Sequence, residues 1–156
     1  MGCDIHIVAQ KRTNGAWVDV EGSFSQGPDP FDWRTYGMFG FLADVRNYSA
    51  VPPIAQRRGV PDDFGWTGDN LLYCQDLHSH SWLTVQELAA FDYDQPVEDR
   101  RVTGTLPNGM TSGACTAPAG DGKTMTWREF LGPQFMSDLA ELQRIGAERI
   151  VFAFDS

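Results

Sequence analysis

Apolar and polar residues alternate from Cys3 to Ala9 and again from Ala16 to Val20, on either side of Asn14-Gly15. Side chains at a period of two divide between two faces, and Asn-Gly is the strongest short signal for a type I′ turn. The pattern predicts a hairpin over residues 3 to 21 with Thr13 opposite Ala16. Cys3, Ile5, Ile7 and Ala9 then share a core face with Val18 and Val20. Asp4, His6, Val8 and Gln10 share the other face with Trp17, Asp19 and Glu21. That second face is polar and acidic.

Further along, Tyr36, Phe39, Leu42 and Ala43 recur at near-helical spacing and predict a helix within residues 32 to 47. Gly37 and Gly40 weaken it and suit close packing. Residues 48 to 70 hold Pro52-Pro53, Gly59, Pro61, Gly65 and Gly68, so no periodicity survives. A connection of that length without regular structure is typical of binding loops. Thr84-Val85-Gln86-Glu87 has the form of a capping box and predicts a helix from Val85 to about Phe91. Residues 98 to 106 read as a strand, Pro107-Asn108-Gly109 as a turn, and 111 to 123 as a mobile loop of small polar residues.

A second box, Thr126-Trp127-Arg128-Glu129, opens a short helix that must break near Gly132-Pro133. Phe135, Leu139, Leu142 and Ile145 then mark an amphipathic helix ended by Gly146. Arg149 to Phe154 is a strand apolar on both faces, which belongs inside a sheet, beside the first strand. These elements predict one α+β domain over residues 1 to 156. Its sheet is mostly antiparallel, with an N-terminal hairpin and a C-terminal strand, packed by two or three helices and joined by long loops.

Composition narrows the function classes. A hydrophobic share of 42% in 156 residues suffices for one core. No run approaches the about 18 to 20 apolar residues of a membrane span, and no secretory signal opens the chain, so a soluble, cytoplasmic protein is expected. Met1-Gly2-Cys3 begins like a lipidation signal, but His6 stands where Ser or Thr is needed. Cys3, Cys74 and Cys115 lack C-x-x-C spacing, which argues against a disulfide framework or zinc knuckle. A net charge of −9 opposes general nucleic-acid binding. Local cations remain: Arg46, Arg57 and Arg58 could hold the phosphate of a small ligand.

The densest chemistry lies between Cys74 and Glu87. Asp76, His78 and His80 fall at every second residue, so in extended chain they line one side, and His6 from the polar hairpin face could complete a metal site. Imidazole with carboxylate suits a divalent transition metal such as zinc or manganese, and metal-bound water would make the chain a hydrolase, a phosphoesterase first of all. The same side chains could instead bond loops and helix caps. A nucleotide-like ligand is the other reading. Phe24, Trp66 and Tyr73 offer rings in loops, with Trp82 a further ligand-binding candidate; the arginines offer charge, and His6, Asp76, His78 and His80 offer hydrogen bonds.

The blocks Met1-Gly2-Cys3-Asp4-Ile5-His6 and Asp76-Leu77-His78-Ser79-His80-Ser81-Trp82-Leu83-Thr84 resemble a group of small proteins encoded by tailed phages and prophages. Those begin Met-Gly-Cys-Asp-Ile-His and carry a His-Ser-x-Ser-Trp-Leu-Thr block before a helix. Phe41-Leu42-Ala43-Asp44-Val45-Arg46-Asn47 and Arg58-Gly59-Val60-Pro61 look like further shared blocks. The resemblance implies context, a phage accessory protein in bacterial cytoplasm, and such proteins often counter host defence. The leading expectation is therefore sequestration of a small nucleotide-derived ligand, a host immune signal among the candidates. The metal-dependent hydrolase and a protein-binding inhibitor of a host factor are the alternatives, and homo-oligomerisation stays open.

Overall fold

The computed structural model of the chain describes residues 2–64, 76–105 and 111–156. The fold is α+β. Its strands are β1 (Asp4–Thr13), β2 (Ala16–Val20), β3 (His78–Thr84), β4 (Pro96–Asp99), β5 (Arg101–Thr105), β6 (Thr111–Thr116), β7 (Lys123–Thr126) and β8 (Arg149–Asp155). The helices among the described residues are α1 (Tyr36–Ala43), α2 (Val85–Ala90) and α3 (Trp127–Arg144). The chain groups into two compact units, Met1–Arg34 with Arg57–Phe91 and Pro133–Ser156, and Thr35–Gln56 with Asp92–Gly132.

The first unit holds an antiparallel sheet of order β2-β1-β8-β3. The hairpin forms in the expected register, Thr13 opposite Ala16, because Asn14 and Gly15 both take the positive φ that a type I′ turn demands, 53° and 80°. β8 lies inside the sheet beside β1, and every residue from Arg149 to Phe154 is buried. On one face Ile5, Ile7 and Ala9 pair with Phe154, Phe152 and Ile150. The first unit also buries Phe135, Leu139 and Leu142 from α3, and Phe31 stacks on Phe135 at 4.5 Å. Val18 and Val20 do not join this core. β2 is an edge strand, and Val18 is 37% exposed. On the opposite face Val151 and Ala153 form a smaller cluster with Phe64, flanked by Val8, Val60, Leu77 and Trp82.

In the second unit, α1 is shorter than the spacing suggested. Asp44 turns left-handed at φ 57°, and its amide returns to the Gly40 carbonyl. The next turn is locked by Asn47, which donates to the Val51 carbonyl and accepts from its amide. Gly40 is required by that lock, since a Cβ there would stand 2.5 Å from Asn47 Oδ1. The single strand expected over 98 to 106 divides into β4 and β5, paired with β7 and β6 respectively. Residues 111 to 123 are accordingly not one loop but contain β6. The turn expected at Pro107-Asn108-Gly109 lies outside the described residues. α3 starts behind Thr126, whose hydroxyl accepts the Glu129 amide, and breaks at Gly132, φ 85°, before Pro133.

Candidate ligand-binding cleft

The polar face of the four-stranded sheet is built row by row. Thr84 pairs with Arg149, Arg149 with Gln10, and Gln10 with Asp19, so these four side chains run in line across β3, β8, β1 and β2. Arg149 is an arginine at the head of an apolar central strand, and only 3% of it is exposed. A buried charge survives only with partners. Gln10 Oε1 accepts from Nε at 2.9 Å, while Gln10 Nε2 donates to Asp19 at 2.8 Å. The guanidinium stacks 3.8 Å above the Trp17 ring, and Nη1 donates to Asp63 Oδ1 at 2.8 Å. Asp63 Oδ2 takes the Trp17 indole N–H, also at 2.8 Å. Both bonds hold the Asp63 carboxyl below the usual carboxylate range, that from Arg149 more than that from Trp17. Arg149 Nη2 remains buried with no hydrogen-bond partner among the described residues.

Above this floor lies a cleft of about 460 Å³. Arg149, Thr84 and Trp82 come from the sheet, Arg12 and Trp17 from the hairpin, and Arg58 with Val60 to Asp63 from the segment entering between the strands. Arg12 lies 4.9 Å over Trp17, and Arg58 lies 4.8 Å over Trp82. The Arg58 segment is tied to β3 by three contacts: its amide donates to Ser81 Oγ, Gly59 N–H to the His80 carbonyl, and Arg58 Nη1 to the Trp82 carbonyl. These bonds cover the free edge of β3. Glu87, held by the Thr84 capping box, takes Arg58 Nη2 at 2.8 Å. The Arg58 guanidinium lowers the Glu87 carboxyl, and the Glu87 carboxylate in turn raises Arg58.

Of the expected site residues, Arg58 and Trp82 line this cleft. Arg57 is exposed beside them, and Arg46 belongs to the second unit, over the Tyr36 ring at 5.9 Å. Trp66, Tyr73 and Cys74 lie outside the described residues. Asp76 is exposed ahead of β3.

The histidines do not form the straight arm their spacing suggested. His78 pairs with Phe154 and Ser81 with Phe152, so β3 spends three residues where β8 spends two. Ser79 absorbs the extra residue at φ 57°, which breaks the alternation between His78 and His80. His6 pairs with Ala153, one residue from Phe154, and so lies on the sheet face opposite His78. His6 Nε2 instead meets Asp155 Oδ2 at 2.8 Å, and that bond, aided by the Asp4 amide, lowers the Asp155 carboxyl. His78 bonds Ser79 and Ser156 hydroxyls. Among the described residues, no three His, Cys, Asp or Glu side chains converge as a metal site.

Arg12, Trp17, Asp63 and Arg149 were not among the expected site residues. Arg149 carried a readable signal, a charge in a strand otherwise apolar on both faces. Trp17 and Asp63 become neighbours only through the fold. No protein-family model, no curated protein and no solved structure matches the chain. No helix among the described residues is long and apolar enough to cross a membrane.

Proposed function

We propose that the chain binds a small nucleotide-like anion in the cleft formed by Arg12, Arg58 and Arg149 with Trp17 and Trp82. The observation that carries this reading is Arg149, a buried guanidinium at the cleft with one nitrogen that has no hydrogen-bond partner among the described residues. An unmet buried donor is costly, and a bound oxyanion would meet it. The indoles suit a flat ring, and the volume suits a small ligand. Binding without turnover is the form this reading takes, as expected of a sequestering protein. The resemblance to phage proteins makes nucleotide signals of bacterial defence the first ligands to try.

Calorimetry against a panel of mono-, di- and cyclic nucleotides, with the matching nucleosides as controls, tests it. A nucleotide should bind with a dissociation constant of about micromolar, near −8 kcal/mol, and its nucleoside far more weakly. Arg149→Gln should abolish that binding. A panel in which nothing binds, or in which nucleosides bind equally well, rules the reading out.

A further inference from the structure

We propose that the Asp63 carboxylate occupies the ligand's own anionic subsite, and that the group replacing it is a terminal phosphate, so that Asp63 decides which anions the cleft admits. The inference rests on the cleft being an anion site.

Gln10 holds Arg149 Nε, which leaves Nη1 and Nη2 for a ligand. Trp17 Nε1–H is the third donor of the group. Asp63 brings two oxygens to these three donors: Oδ1 serves Nη1, Oδ2 serves Trp17, and Nη2 has no partner among the described residues. An incoming carboxylate brings only the two oxygens that Asp63 already supplies, and it would compete with a carboxylate tethered in place at high effective concentration. A terminal phosphate differs in both respects. It carries about −1.5 to −2 charges at neutral pH and three acceptor oxygens, one for each donor. Arg12, 4.9 Å over the Trp17 ring, adds a second cation beside the same indole.

The exchange asks little of the fold. The Asp63 side chain is 54% exposed and can turn into solvent, while its neighbour Phe64 stays buried in the Val151–Ala153 cluster and holds the segment. Asp63 would thus be a specificity-determining residue, a tethered carboxylate that weak or singly charged anions cannot displace.

Three adenosine probes separate the outcomes: adenosine 5′-monophosphate, adenosine-5′-carboxylic acid and adenosine, each titrated calorimetrically into wild type, Asp63→Asn and Asp63→Ala. Removing the tethered charge should tighten monophosphate binding about tenfold, and in wild type the monophosphate should bind better than the carboxylate. Inorganic phosphate titrated into wild type should move the Trp17 indole N–H resonance, assigned by its loss in Trp17→Phe, as its partner changes from Asp63 to phosphate. That measurement holds even where a variant folds poorly. Equal monophosphate affinity in wild type and both variants, equal binding of carboxylate and monophosphate, or an unmoved indole resonance at saturation overturns the inference. In those cases nucleotide binding by wild type leaves the cleft reading standing. If wild type and both variants bind no member of the nucleotide panel, the reading and the inference fall together.

Discussion

At the scale of single residues, Arg149 shows how a buried charge organises its surroundings. Its stem lies in the sheet, its guanidinium covers the Trp17 ring, and its nitrogens engage Gln10 and Asp63. Arg149→Ala removes the stacking and leaves Gln10 Oε1 unmet, whereas Asp63, more than half exposed, recovers water. The loss should therefore stay below the 3 to 5 kcal/mol of a broken fully buried pair, at about 2 kcal/mol in urea denaturation. Arg149→Met should restore part of it, because its chain refills the space over the indole. An alanine variant as stable as wild type would mean that the guanidinium contributes nothing to the fold. Sequence reasoning looked for phosphate-holding arginines at Arg46, Arg57 and Arg58, and only Arg58 reaches the cleft. The clue it passed over was chemical, a charge placed where six consecutive residues are buried.

At the scale of elements, the readable parts were those whose geometry is local. The Asn14-Gly15 turn fixes the hairpin register, Gly132 with Pro133 breaks α3, and Gly146 at φ 73° ends it, because each depends on backbone angles that few residues adopt. What failed depended on neighbours. The bulge at Ser79 is dictated by pairing with β8, so Asp76, His78 and His80 looked like a ligand line until the partner strand was known. β6 was invisible because a short two-stranded pairing of small polar residues has no apolar period to announce it. The capping box was legible and can be measured. Thr84 Oγ1 accepts the Glu87 amide at 3.0 Å, and Glu87 returns to the Thr84 amide. Thr84→Ala should cost about 1 kcal/mol in the urea midpoint, the usual worth of an N-cap side chain. A loss under a few tenths would mean that the Arg58 contact alone holds Glu87 in place.

At the scale of the whole molecule, 21 acidic side chains face 12 basic ones, and several of the acids are held by cations. Arg34 lowers Asp4, Arg149 lowers Asp63, Arg58 lowers Glu87, and His6 lowers Asp155. Arg144 brings Glu141 down to about 2. Each of these carboxyls has a folded value below its unfolded one, about 3.9 for Asp and 4.3 for Glu. As pH falls through that range the unfolded chain takes up protons first, so the stabilisation is complete above the unfolded values and disappears as pH drops towards the folded ones. Asp29 opposes the trend, since burial raises its carboxyl and protonation favours its folded state. The lowered groups outnumber it, and urea midpoints should therefore fall as pH is taken from about 5 to 2. Arg34 and Asp4 are exposed at 52% and 50%, and Arg144 at 67%, so 1 M salt should weaken these two pairs by screening and flatten part of the acid limb. Asp63→Asn should flatten it too, by removing one of the titrating carboxyls. A midpoint that rises on acidification would show that general repulsion among the excess acids outweighs these pairs.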